Sequence, residues 1–289
     1  MERRYEYAPA STLPGLLQRG RGQGALIAAE DPAAAAELVY GCIRWEWRWD
    51  PTVDERHRYL ARLVRDLELP LGPVVELLAG GEAVRGRAAR VLELLALGGS
   101  VEAREALRAC PREGGRGPSA GPAPAGGAVP EHGERRDPEP EEEGAEPDLA
   151  ALVAELERAW VDRSWCGPAL TARRLARFGP EAADAASLLR RFWLYTPHSS
   201  ERAGYLEALA ALGSAGTGEA FTESLRDCEA RARLLGVRHA PDTPYVRARL
   251  VSLVDDPIEL PGVRDAAGER LAGLGWTAFE RAGTAFEEG

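Results

Sequence analysis

The strongest constraint on this chain is a pattern that it uses twice. Pro51-Thr52-Val53-Asp54-Glu55-Arg56-His57-Arg58-Tyr59-Leu60-Ala61-Arg62-Leu63 and Pro197-His198-Ser199-Ser200-Glu201-Arg202-Ala203-Gly204-Tyr205-Leu206-Glu207-Ala208-Leu209 both fit P-x-x-x-E-R-x-x-Y-L-x-x-L, offset by 146 residues. Each copy reads as a helix start. Proline is tolerated in a first turn, where its missing N–H costs nothing, and glutamate suits the positive end of the helix dipole. Tyrosine, leucine and leucine then fall at i, i+1 and i+4, on one helical face. A helix-opening unit used twice is the mark of a stacked array.

The surroundings of the two copies are similar as well. A proline-opened, alanine-rich stretch precedes each: Asp31-Pro32-Ala33-Ala34-Ala35-Ala36 in one case, Gly179-Pro180-Glu181-Ala182-Ala183 in the other. After each copy comes a segment ending Leu-Arg-x-Cys, at Leu107–Cys110 and Leu225–Cys228. Helical patterning covers most of the remainder. Short helices are expected at about 13–17 and 22–30, then at 32–43, 74–79, 84–97 and 101–110. After residue 148 they are expected at 149–160, 168–178, 180–194, 198–212, 217–235, 243–254 and 261–273. No stretch shows the period of two that a strand requires.

Between these two helical blocks lies a segment of a different kind. Residues 111–147 are rich in proline, glycine, alanine and glutamate, with four arginines against nine acids. Such a segment cannot bury enough apolar surface to offset its ordering entropy, so it is expected to be a disordered acidic insertion. By the alignment of the two copies it replaces one ordinary interhelix loop, which is cheap because closure entropy grows only logarithmically with length. The division is therefore residues 1–110, an insertion at 111–147 and residues 148–289, with the two helical halves expected to form one continuous solenoid.

At this level the chain resembles the HEAT-repeat family and its shorter HEAT-like relatives. The likeness rests on paired helices, Gly-Ser or Asp-Pro openings such as Gly99-Ser100 and Asp31-Pro32, and first helices of the Glu-Ala-x-x-x-Ala-Leu type. Asp255-Asp256-Pro257 followed by Val263-Arg264-Asp265-Ala266-Ala267 has the same character. The resemblance covers about 31–110 and 148–273. It implies an all-α right-handed superhelix of antiparallel helix pairs, each touching only its neighbours.

Charge and composition narrow the function. The formal net charge is −10, and residues 1–110 alone are at −1, so no basic half is present to grip nucleic acid. Every basic residue is arginine, and lysine and asparagine are absent, as in a GC-rich coding sequence. The four cysteines, at 42, 110, 166 and 228, form no C-x-x-C pair and read as buried reduced thiols of a cytoplasmic protein. No uncharged run is long enough to cross a bilayer, and no signal peptide is recognisable.

One local sequence stands out as a surface candidate: Arg44-Trp45-Glu46-Trp47-Arg48-Trp49-Asp50. Tryptophan and arginine are the usual anchors of protein interfaces. Read as helix, Trp45 and Trp49 share a face and are expected to pack between layers, which leaves Arg44, Trp47 and Arg48 as partner-binding residues. A related aromatic group, Phe192-Trp193 with Tyr195, precedes the second copy. Glu55-Arg56 and Glu201-Arg202 read as solvated first-turn charge. Gly20-Arg21-Gly22-Gln23-Gly24-Ala25 fits a permissive dinucleotide pattern but lacks a β-α-β context, so an interhelix turn is expected there. No nucleophile elbow, phosphate loop or metal-ligand spacing occurs, and neither a cofactor nor a metal is expected. The expectation is a non-catalytic scaffold for a protein or peptide partner. The alternative is a nucleic-acid-binding or DNA-repair-type protein on the same frame, as resemblance to the HEAT-like DNA glycosylases would imply. Resemblance to the phycobilin-lyase type of repeat would instead imply a bilin-handling role.

Overall fold

A computed structural model describes residues 6–110 and 148–275, and the acidic insertion lies outside them. In the first block, α1 (Leu13–Arg19), α2 (Gly22–Glu30), α3 (Pro32–Arg44), α4 (Arg56–Asp66), α5 (Gly72–Glu76), α6 (Glu82–Leu97) and α7 (Val101–Ala109) follow one another. The second contains α8 (Leu149–Val161), α9 (Pro168–Leu175), α10 (Ala186–Tyr195), α11 (Arg202–Ala211), α12 (Thr217–Ser224), α13 (Ala230–His239), α14 (Pro244–Asp255) and α15 (Pro261–Gly273). Short 3-10 turns join several of them, and no strand occurs among the described residues.

Caps fix many of the boundaries. The side chains of Thr12, Asp31, Ser100, Asp148 and Thr243 each accept an orphan backbone N–H at the start of their helix. Proline fills the first turn of α3, α9, α14 and α15. The two signature prolines behave otherwise. Pro51 lies in a turn, Pro197 precedes a 3-10 turn, and each helix begins only at the arginine of the Glu-Arg pair, Arg56 in α4 and Arg202 in α11. The two copies therefore enter helix at the same register position. Their apolar triplets are all buried: Tyr59, Leu60 and Leu63 in one, Tyr205, Leu206 and Leu209 in the other.

The helix expected over 217–235 is broken between Ser224 and Ala230. The break has a physical cause. Asp227 turns inward to receive the Arg202 guanidinium on both carboxylate oxygens, at 2.7 and 2.8 Å, and also accepts the backbone N–H of Glu229. An aspartate bonded in this way favours a turn over a continuing helix.

Two apolar cores result. One lies among α8 to α15 and is centred on Phe192, Tyr205, Leu206 and Leu250. The other lies among α1 to α7, centred on Val39, Ile43, Tyr59 and Leu92, and takes in Cys228 and Ile258 from the second half. Arginine–carboxylate pairs span the seam between the cores. Arg21 of the α1–α2 turn holds Glu223 of α12 through two 2.7 Å bonds, and its guanidinium lies 4.2 Å from the Trp193 ring centre. Arg62 of α4 bonds Asp256 at 2.7 Å and Glu259 at 2.9 Å, and Arg65 bonds Asp256 at 2.6 Å. Arg233 of α13 completes the group by gripping Glu259.

The expectation of solvated charge at the signature arginines is thus corrected. Arg56 is 3% exposed and Arg202 0%. Arg56 pairs with Asp54 at 3.1 Å and donates to the carbonyls of Gln18 and Pro197, at 2.6 and 2.5 Å. Each arginine starts a helix whose first turn faces the seam, so its long side chain runs inward rather than out. The glutamate of the second copy is also occupied: Glu201 accepts the backbone N–H groups of Gly167 and Ala169 at the start of α9.

Candidate functional site

The Trp–Arg segment does not continue α3. That helix ends at Arg44, and Trp45 already has extended backbone, with φ −105° and ψ 146°. With no helix over 45–49, Trp45 and Trp49 do not share a helical face as expected. Trp45 and Trp49 are the exposed pair, each at 40%, whereas Trp47 packs against the first core. Trp47 meets Tyr7 edge-on at 5.3 Å, and its carbonyl receives both the Arg56 guanidinium and the Tyr7 hydroxyl. The inward and outward assignments of these tryptophans are therefore exchanged. Arg48 folds back on Glu46, with Nε–Oε1 at 2.9 Å and Nη2–Oε2 at 2.7 Å, and this pairing holds it above the ordinary arginine pKa. Arg44 is exposed, and its carbonyl accepts from Arg87.

Trp49 reaches the other half of the molecule. Its ring lies 4.5 Å from that of His198, the residue after the second signature proline. Opposite stands an aromatic group from α8 and α10. Trp160 meets Trp165, Phe192 and Tyr195 in edge-on geometry, at 5.8, 5.5 and 5.7 Å. Between the two groups runs an open cleft of about 440 Å³, walled by Tyr7, Trp47 and Trp49 on one side and by Arg163, Trp165 and Tyr195 on the other. At the Glu46–Arg48 pair it adjoins a second cleft of about 530 Å³, lined by His57, Arg87 and Arg90.

The electrostatics of the site are set by burial and by neighbouring arginines. Arg19, at the base of the cleft, is pushed down to about 10 by desolvation. It donates to the carbonyls of Ala8, Gly15 and Tyr195. His57 is lowered to about 4 by burial and by the positive charges of Arg90, Arg48 and Arg58, so it is neutral at pH 7. His198 is lowered in the same direction, first by burial. A cavity of about 20 Å³ under Trp47 includes Cys42, whose thiol burial raises to about 12 and so keeps protonated. Of the other cysteines, Cys228 is buried, Cys110 intermediate and Cys166 exposed, which corrects the expectation that all four are buried. Among the described residues no group of three or more His, Cys, Asp or Glu could hold a metal ion.

Of the three residues expected to bind a partner, Trp47 and Arg48 line the clefts and Arg44 does not. Tyr7, Arg87, Arg90, Arg163 and Trp165 were missed. They come from three places in the chain, the lead-in before α1, helix α6 and the turn after α8, and none carries a local pattern. Only Tyr195 had a signal, the aromatic group before the second signature. Of the glycine-rich stretch at 20–25, Gly20 and Arg21 form the interhelix turn and Gly22–Ala25 open α2. Gly20 has φ 67°, and a Cβ on Gly22 would stand 2.0 Å from the Glu223 carbonyl oxygen, so glycine here lets α12 approach. No family model matches the chain, and no curated protein or solved structure matches it.

Proposed function

We propose that this protein is a non-catalytic scaffold that holds a protein or peptide partner in the cleft between its two halves. One observation carries the reading: exposed and half-exposed tryptophans from distant parts of the chain line an open cleft together with arginines. Rigid aromatic and arginine anchors in a concave site supply most of the energy in protein recognition. The frame is proposed to be a HEAT-like array of antiparallel helix pairs, folded so that distant members also meet. Residues such as Arg62 and Asp256 touch although 194 positions apart, which neighbour-only stacking would not bring about. Four cysteines without a disulfide suit a reducing compartment such as the cytoplasm. Among the described residues no helix is long and apolar enough to cross a membrane.

The anchor is Trp49, in place of Trp47. Trp49→Ala is expected to weaken partner capture by about 2 kcal/mol or more while leaving the melting temperature unchanged. Capture at full strength by the folded variant would move the interface to another face.

A further inference from the structure

We infer that the occupant of this cleft is a short acidic peptide segment that carries aromatic side chains. The inference rests on the reading of the cleft as a binding site. Five arginines and two glutamates line the two adjoining clefts, a local excess of three positive charges in a chain of net charge −10. One of the two glutamates is already occupied, because Glu46 is gripped by Arg48 and faces Arg87 at 3.5 Å. The site therefore complements carboxylates, and its tryptophan and tyrosine walls complement rings, which prefer edge-on or offset contact.

Arg163 carries the argument further. It sits just past α8 with φ 51°, the left-handed region, where its N–H caps the Trp160 carbonyl. Glycine is the inexpensive residue at such a helix end, and an arginine there is held in a strained backbone conformation. Among the described residues no acceptor meets its guanidinium. The exposed charge that it places on the cleft wall is the one gain visible against that strain. A long polyanion suits the site less well than a short peptide, because the chain's net charge of −10 repels it over a greater length.

The test is fluorescence anisotropy of the whole chain with short fluorescein-labelled peptides of alternating Glu-Phe, Gln-Phe and Glu-Ala, and with a labelled thymidine oligonucleotide of equal length. The Glu-Phe peptide is expected to bind at least about tenfold more tightly than either peptide counterpart, and more tightly than the oligonucleotide. Arg163→Gly should weaken Glu-Phe binding by about three- to tenfold while holding or raising the melting temperature, since it relieves the strained backbone. Arg90→Glu, at a solvent-exposed position, should weaken it similarly. Equal binding of Glu-Phe and Gln-Phe, with both lost in Trp49→Ala, would overturn the acidic preference and leave the cleft as a binding site. Glu-Phe binding untouched by Trp49→Ala would overturn the cleft itself. Tighter binding of the oligonucleotide, or no binding of any peptide, would also overturn the inference.

Discussion

Arg202 and Asp227 make a fully enclosed charge pair, with side chains 0% and 1% exposed. A buried pair of this kind adds little net stability over an apolar packing, but removing one partner strands the other charge. Arg202→Ala is therefore expected to cost about 3–5 kcal/mol, read from chemical denaturation. Glu229 lies beside this pair, and burial, then the negative charge of Asp227, raises it from 4.5 to about 6. Its ionised form is disfavoured in the fold, so its contribution grows as pH falls through about 6 and is complete below the unfolded value near 4.3. Glu229→Gln should add about 2 kcal/mol at pH 7, and its advantage over the parent chain should vanish by about pH 4. His57 acts in the opposite sense. Its folded value of about 4 lies below the ordinary 6.5, so the fold loses stability as pH falls from 6.5 through 4. The difference between parent and variant, rather than the parent's own profile, isolates Glu229. Asp256 contributes lower on the scale. Burial would raise it, but Arg65 and Arg62 outweigh that and hold it at about 2, below the ordinary 3.8, so its share is lost as pH falls from 3.8 through about 2.

At the scale of elements, α4 and α11 are the same device used twice. Each starts at an arginine that runs into the seam, and each buries Tyr, Leu and Leu on one face. Leu60→Ala and Leu206→Ala should both cost about 2–5 kcal/mol, with the spread set by how far each site can collapse. A near-neutral result at either position would contradict the shared packing face. The turn between α1 and α2 has a different task. Gly22 lets the backbone of α12 pass, so Gly22→Ala should separate α2 from α12 and weaken the Arg21–Glu223 pair beside it. This face of α4 and α11 was legible from the sequence because its apolar spacing is local. The end of α3 was not, since the Trp-rich run lacks the glycine or proline that would have announced a stop.

At the scale of the whole molecule, the seam makes one body of two cores. Arg62 and Arg233 converge on Glu259, and Arg62 with Arg65 on Asp256. The chain is expected to melt in a single transition, and Arg62→Ala combined with Arg233→Ala should split that melt into two by calorimetry, as the cores uncouple. A single, merely lower transition in the double variant would show that apolar contact alone joins them. What the sequence determined by itself was the helical class, the duplicated signature and its buried face, because these follow from spacings of one to four residues along a helix. What only the tertiary structure decided was the fate of the charges and the tryptophans. An arginine reads alike whether it meets water or a carboxylate 200 residues away, and a tryptophan's exposure depends on where its helix ends. The seam, and the cleft that opens along it, exist only once the two halves have met.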